Sequence, residues 1–157
     1  MDNKTMIKGI IFDFNRTLYD PDTGQLVDGA TTLLKSLHGK GYLLCLISKK
    51  SVEGRKEQIT SLGLDRYFIK ILIIEGNKLE AHFMECLKAM ALSAAEVAVV
   101  GDRINEEILL GNKIGMRTIW YKSGKFAAEA PKEAVQEPDY TITDLQNVPT
   151  CLEENAG

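Results

Sequence analysis

Short apolar runs and helical stripes alternate along the chain. Six runs predict β-strands, at 7–14, 42–48, 67–74, 96–102, 117–121 and 140–145. Between them, Ala30, Leu33, Leu34 and Leu37 have the spacing of one helix face, and a second helical stripe consists of Leu79, Phe83, Cys86, Leu87 and Met90. Strands that are apolar on both faces are typical of parallel sheets with helices on either side. We therefore predict an α/β, Rossmann-like three-layer fold with a mostly parallel central sheet flanked by helices.

Polar residues follow several of these strands. In parallel sheets, ligands bind at the carboxyl ends of the strands. The side chains predicted there are Asp13, Ser48, Lys78 and Asp102. A carboxylate can attack phosphorus, Mg²⁺ can bridge carboxylates and a phosphate oxygen, and a hydroxyl or an ammonium group can hold the remaining oxygens. The set is typical of phosphoryl-transfer chemistry.

Four motifs in this order resemble the haloacid dehalogenase-like (HAD) hydrolase superfamily. The first is Asp13-Phe14-Asn15-Arg16-Thr17-Leu18, where the family has Asp-x-Asp-Gly-Thr-Leu. The others are Ser48 after an apolar strand, Lys78 before a helix, and Gly101-Asp102 followed by Glu106 and Glu107. The resemblance covers roughly residues 7–145 and implies a small phosphatase-like member.

The resemblance also implies roles for the site residues. Asp13 would be the nucleophile, which forms an aspartyl-phosphate, and Lys78 would neutralise charge on Asp13 and the phosphate. Ser48 and the main chain near Lys49 would bind the phosphate. The implied cofactor is Mg²⁺. Its ligands would be Asp13, the main-chain carbonyl of Asn15 and Asp102. Glu107, with Glu106 as a second choice, would act in the outer shell of the metal.

Asn15 departs from the family pattern. The family's phosphatases have there a second Asp, which protonates the leaving alcohol and then activates water, and an amide can do neither. Positioned acid–base catalysis contributes about 10²- to 10⁴-fold, so its loss slows turnover without abolishing it. Asn15 leaves open a slow phosphatase, a different covalent chemistry such as dehalogenation, a non-catalytic phosphate-binding or regulatory protein, or an engineered Asp-to-Asn change.

Arg16 is a second departure, because the family prefers Gly at this position. Two interpretations remain open. The side chain either points to solvent from a tolerated backbone, or its guanidinium contacts a phosphate or another substrate anion.

Neither the segment between Asp13 and Ser48 nor the segment between Ser48 and Lys78 is long enough for a large cap domain. We expect one domain over residues 1–157, with a short flap at about 19–29 and a loose tail after about 149. An uncapped site would accept a phosphorylated small molecule or macromolecule, or would use a second subunit of a homo-oligomer as its lid.

Composition and charge narrow the functional classes. The chain has 157 residues and a formal net charge of −3, which argues against nucleic acid as a partner. No apolar stretch approaches the length of a membrane span, so we expect no membrane partner. Cys45, Cys86 and Cys151 show no disulfide framework or metal spacing, and we interpret Cys45 and Cys86 as buried thiols. These features favour a cytoplasmic protein.

Overall fold

The computed structural model describes residues 5–49 and 54–153. The strands are β1 (Gly9–Asp13), β2 (Tyr19–Asp20), β3 (Gln25–Leu26), β4 (Leu43–Lys49), β5 (Lys70–Ile74), β6 (Val97–Gly101), β7 (Arg117–Tyr121) and β8 (Tyr140–Ile142). The α-helices are α1 (Ala30–Gly39), α2 (Arg55–Ser61), α3 (Glu80–Met90), α4 (Leu109–Ile114) and α5 (Val148–Glu153). This α/β architecture confirms the predicted fold class.

The central sheet has the strand order β5-β4-β1-β6-β7-β8, and neighbouring strands pair in parallel. β1 lies between β4 and β6, so the carboxyl end of β1 is flanked by the ends of the strands that carry Ser48 and Gly101. Residues far apart in the sequence thus come together because their strands are neighbours.

Helices cover both faces of the sheet. Successive residues of a strand point to opposite faces. In β1, Ile10 and Phe12 accordingly join one apolar cluster together with Leu34 of α1, whereas Ile11 joins a second cluster together with Phe83 of α3. The strands are apolar throughout because both faces are buried.

The helical stripes agree with the sequence pattern with one exception. All four stripe residues of α1 are buried, as their spacing predicts. In α3, Phe83, Cys86 and Met90 are buried, but Leu79 precedes the helix and is 58% exposed. Cys45 is also buried, which confirms the interpretation of Cys45 and Cys86 as buried thiols.

Residues 150–153, where we expected a loose tail to begin, are helical. α5 continues to Glu153, and its Cys151 and Leu152 are buried. Arg117 at the start of β7 donates hydrogen bonds to the carbonyl oxygens of Cys151 and Leu152, at 3.1 and 2.9 Å. The burial of Cys151 and Leu152 and these hydrogen bonds stabilise a short helix whose sequence lacks a long periodic apolar stripe.

Little structure is inserted between the strands that carry the motifs. β2 and β3 form an antiparallel hairpin within the segment 19–29, and α1 follows it. Between β4 and β5, the described residues form α2 and a 3₁₀ turn at Asp65–Tyr67. No helix among residues 5–49 and 54–153 has the length and apolar character required to cross a bilayer.

Close packing of α4 on the sheet gives a stability test. A Cβ atom on Gly111 would lie 2.6 Å from Val99 Cγ1 and 2.8 Å from Thr118 Cγ2. We therefore expect Gly111→Ala to lower the free energy of unfolding by about 1–3 kcal/mol in urea denaturation. The control is Gly39→Ala, since no atom lies within 4 Å of a Cβ there. Equal stability of the two variants would contradict this packing.

Candidate active site

Four polar side chains meet at the carboxyl edge of the sheet. Asp13 ends β1 and Asp102 directly follows β6. Lys78 lies between β5 and α3, and Glu107 lies on a π-helical turn at Ile104–Ile108. All four residues are buried, although charged side chains are rarely buried unless they are paired. Their pairing is therefore the main feature of the site.

Asp13 is held through both carboxylate oxygens. The ammonium group of Lys78 donates to Oδ1, and the hydroxyl of Thr17 donates to Oδ2 at 3.0 Å. Thr17 is fully buried, and its position four residues after Asp13 places it on the turn that leaves β1. We did not predict Thr17 as a site residue, although the hydroxyl in the first motif was a visible signal. These contacts fix the orientation of the Asp13 carboxylate.

Glu107 is packed against Gly101 and Lys78. Its Oε2 accepts from Lys78 Nζ at 3.0 Å, and its Oε1 accepts from the backbone N–H of Arg103 at 3.2 Å. A Cβ atom on Gly101 would lie only 2.7 Å from Glu107 Cβ. The glycine before Asp102 is therefore required by the close approach of Glu107. The indole of Trp120 donates to the carbonyl of Asp102 at 3.0 Å and holds this turn.

The cluster has more negative than positive charge. Burial, together with the charges of Asp13 and Glu107, raises the pKa of Asp102 to about 9. Burial also raises the pKa of Glu107 to about 7, although Lys78 opposes the shift. Burial lowers the pKa of Lys78, but the attraction of Asp13 and Glu107 outweighs it, so the net shift is upward.

Three carboxylates of the cluster have the arrangement of a metal site. One oxygen each from Asp13, Asp102 and Glu107 lies within 4.8 Å of the other two. Oxygen ligands of this kind suit Mg²⁺. A single ammonium group, that of Lys78, lies among three buried carboxylates, and a divalent cation would balance the remaining charge. The residues present therefore fit the predicted metal.

A cavity of about 340 Å³ opens onto the cluster. The predicted site residues that line it are Asp13, Asn15, Arg16, Lys49, Lys78, Asp102 and Glu107. Arg103, Glu106, Lys125 and Phe126 complete the wall. Several cationic side chains thus surround a space large enough for a phosphate group.

Ser48 and Lys49 differ in their surroundings. Ser48 is buried, is not among the residues that line the cavity, and donates its hydroxyl to the carbonyl of Lys49 at 3.2 Å. The Lys49 ammonium pairs with Glu106 at 2.7 Å. Glu106, our second choice to Glu107, therefore contacts Lys49 rather than the Lys78 ammonium.

The two residues that depart from the family pattern both line the cavity. Asn15 forms an isolated β-bridge with Tyr19. Arg16 has a φ of 64°, in the left-handed region that glycine adopts most easily, and its N–H donates to the carbonyl of Tyr19 at 2.6 Å. The glycine preference of the family at this position thus has a backbone cause. Arg16 lines the cavity, and its contact with a ligand stays a prediction.

The connection after β7 also contributes to the wall. The Arg103 guanidinium lies 3.8 Å from the ring centroid of Phe126. Glu129 accepts hydrogen bonds from Arg103 Nε at 3.3 Å and from the backbone N–H of Ile104 at 2.9 Å. The segment 122–139 is polar and contains two prolines, and its local composition gives no signal of these long-range contacts.

Known proteins resemble this chain in sequence. The HAD-hydrolase-like family model matches residues 76–148, which include Lys78, Asp102 and Glu107. A glyceraldehyde 3-phosphate phosphatase from Pyrococcus furiosus is 35% identical over 136 residues, which are 83% of this chain and 56% of the relative. A pyrimidine 5′-nucleotidase from Streptococcus pneumoniae is 26% identical over 142 residues, 87% of this chain and 58% of the relative. The chain spans about half the length of the curated relatives that it matches.

Solved structures share the fold. A HAD phosphatase from Thermococcus onnurineus superposes with a TM-score of 0.77 at 13% identity and covers 96% of this chain and 100% of its own. A 2-haloacid dehalogenase from Pseudomonas syringae pv. tomato gives a TM-score of 0.76 at 19% identity, with coverages of 94% and 98%. These likenesses concern the fold alone. The family model and the sequence relatives show that the chain belongs to the haloacid dehalogenase-like superfamily.

The raised pKa of Asp102 predicts how stability changes with pH. Between its usual value of 3.8 and about 9, folded Asp102 keeps a proton that the unfolded chain has lost. Stability must therefore fall as pH rises through this range, by up to about 1.4 kcal/mol per pH unit. The pKa of Glu107 is about 7, so most of the decline measured by urea denaturation in EDTA between pH 7 and 9 should come from Asp102.

We expect Asp102→Asn to flatten this decline, because it removes the titrating group. The exposed Asp65→Asn, far from the cluster, should decline like the wild type. If Asp102→Asn and the wild type lose stability with equal slopes between pH 7 and 9, the shift assigned to Asp102 is wrong.

Proposed function

We propose that this protein is a Mg²⁺-dependent phosphatase that acts through an aspartyl-phosphate on Asp13. The observation that carries the proposal is the Asp13 carboxylate, fixed by Lys78 and Thr17 and directed to a cavity with cationic walls. Phosphatases among the sequence relatives support it. We propose phosphate monoesters, small or macromolecular, as the substrates.

Asp13 would act as the nucleophile. One carboxylate oxygen attacks phosphorus, the bond from phosphorus to the leaving oxygen breaks, and an acyl phosphate forms on Asp13. Lys78 holds the Asp13 carboxylate in one orientation while the cationic side chains of the wall attract the phosphate oxygens. Lys49 and Arg16, which line the cavity, are the proposed phosphate contacts. Ser48 would join them only if its hydroxyl turns away from the Lys49 carbonyl.

Asp13, Asp102, Glu107 and the main-chain carbonyl of Asn15 are the groups that we propose for Mg²⁺, directly or through water. When bound, Mg²⁺ supplies positive charge to the phosphate oxygens and the carboxylates. Glu107 also keeps Lys78 in place through their 3.0 Å ion pair. Lys78 thus forms ion pairs with the carboxylates of both Asp13 and Glu107.

Asn15 is the reason to expect slow turnover. Its amide cannot donate a proton to the leaving alcohol, and it cannot remove a proton from the water that must hydrolyse the acyl phosphate. A good leaving group such as p-nitrophenolate needs no proton, so the first step should proceed and the second should limit the rate. The alternative is a non-catalytic phosphate-binding or regulatory protein, which Asn15 also favours.

The substitution Asn15→Asp tests the proposed role of this position. With p-nitrophenyl phosphate and Mg²⁺, we expect it to raise the steady-state rate by about 10²-fold or more, because it supplies the missing acid and base. Asn147→Asp adds the same charge at an exposed position and should leave the rate unchanged.

Asp13→Asn should abolish hydrolysis in both the wild-type and the Asn15→Asp background. Activity that survives Asp13→Asn would rule out the proposed nucleophile. A wild type that binds phosphate but does not turn over, with activity only after Asn15→Asp, would favour the non-catalytic alternative.

Magnesium binding should be visible as thermal stabilisation. At a hundredfold excess over its dissociation constant a ligand contributes about 2.7 kcal/mol, or roughly 5–10 °C in Tm for a domain of this size. We expect Asp102→Asn to lose most of this shift and Asp65→Asn to keep it. A shift that is equal in both variants, or is absent from the wild type, would contradict the proposed metal site.

A further inference from the structure

A second cavity, of about 640 Å³, lies between the β2–β3 hairpin and the loops that follow β7 and β8. Its volume is that of a small-molecule site. Arg16 lines both this cavity and the smaller one that contains Asp13, so the two share a wall. We name it the hairpin cavity.

The path of the chain relates the hairpin cavity to the reaction. From Asp13 the backbone passes through Asn15 and Arg16 into the hairpin, and the Arg16 N–H bonds to Tyr19 of β2. Asn15 stands where the family places the group that protonates the leaving oxygen. The next residue, Arg16, lines the hairpin cavity, so an alcohol whose oxygen lies beside Asn15 would lie next to that cavity.

Polar side chains that suit hydroxyl groups line the hairpin cavity. The hydroxyl and amide side chains in its wall are Thr23, Gln25, Ser123, Thr143 and Gln146. Tyr121 and Leu145 add apolar surface. This mixture of hydrogen-bonding groups and small apolar patches matches a polyhydroxylated alcohol better than a hydrocarbon.

The charge of the lining selects among such alcohols. Four aspartates, Asp20, Asp22, Asp28 and Asp144, line the cavity, and Arg16 stands at the side shared with the phosphate. Two of the four are fixed by backbone donors: the N–H of Asp22 bonds to Asp20, and that of Gln146 to Asp144, both at 2.9 Å. A cationic group in the cavity would be attracted, and a second anion would be repelled.

We propose that the hairpin cavity binds the alcohol part of the substrate and selects a hydroxyl-rich alcohol with an ammonium group, as in an amino sugar phosphate. This inference rests on the proposed phosphatase function. The division of charge carries it: each cavity is lined by four carboxylates, but the smaller cavity also has five cationic side chains for the phosphate, whereas Arg16 is the one cationic side chain among the residues that line the hairpin cavity. Arg16 separates the two.

Three sugar phosphates of nearly equal size test the inference. Glucosamine 1-phosphate, glucose 1-phosphate and glucuronic acid 1-phosphate share a pyranose ring, and at mildly acidic pH their sugars are cationic, neutral and anionic. We would measure kcat/KM where the ester is hydrolysed and the dissociation constant by calorimetry where it is not. We expect glucosamine 1-phosphate to be preferred over glucose 1-phosphate, and glucose 1-phosphate over glucuronic acid 1-phosphate. The difference between the two charged sugars should be about tenfold or more.

Variants of the lining identify the source of the preference. Asp22 and Asp28 are exposed residues that line the hairpin cavity but not the smaller one. The double variant Asp22→Asn with Asp28→Asn should reduce the preference at least about threefold. The matched control, Asp65→Asn with Glu153→Gln, removes two exposed charges elsewhere and should keep the preference.

The outcomes separate the inference from the proposed function. Equal or reversed preference, no binding of any of the three sugars, or a preference untouched by the lining variant would overturn the inference, whatever happens with p-nitrophenyl phosphate. Loss of p-nitrophenyl phosphate hydrolysis in Asp13→Asn supports the phosphatase function independently. A charge order in binding without any hydrolysis would uphold the cavity assignment and contradict the phosphatase.

Discussion

The buried ion cluster of Asp13, Lys78 and Glu107 is the constraint on which the site depends. Burial of a charge is costly, and removal of one partner of such a pair typically costs about 3–5 kcal/mol. Lys78, which follows β5, pairs with Asp13 at the end of β1 and with Glu107, which follows β6, so it joins the ends of three strands. The same interaction that stabilises the edge of the sheet also fixes the orientation of the Asp13 carboxylate.

The sheet explains why four separate motifs converge. β1 is central, β4 and β6 are its neighbours, and parallel pairing puts their carboxyl ends together. The sequence could predict this much because fully buried strands have continuous apolar runs, and because the residues that follow them are polar. Asp13, Asp102 and Lys78 were predicted in this way and Glu107 from the family resemblance, and the structure brings the four together.

Other parts of the site depend on contacts that local patterns do not contain. The pair of Lys49 and Glu106 joins residues 57 positions apart, and the bond from Ile104 to Glu129 joins residues 25 apart. Nothing in the polar composition of 122–139 distinguished Glu129 from a solvated acid. The helix at the end of the chain escaped prediction for the same reason, because its stability comes from buried Cys151 and Leu152 rather than from a long stripe.

The most direct measurement follows phosphate onto Asp13. The wild type would be mixed with Mg²⁺ and excess p-nitrophenyl phosphate, quenched in acid after less than one turnover, digested and analysed by mass spectrometry. Our account predicts one equivalent of nitrophenolate released in a burst, and phosphate on the peptide that contains Asp13, because Asn15 slows the water step. Release of inorganic phosphate without a burst, or phosphate on another residue, would contradict it.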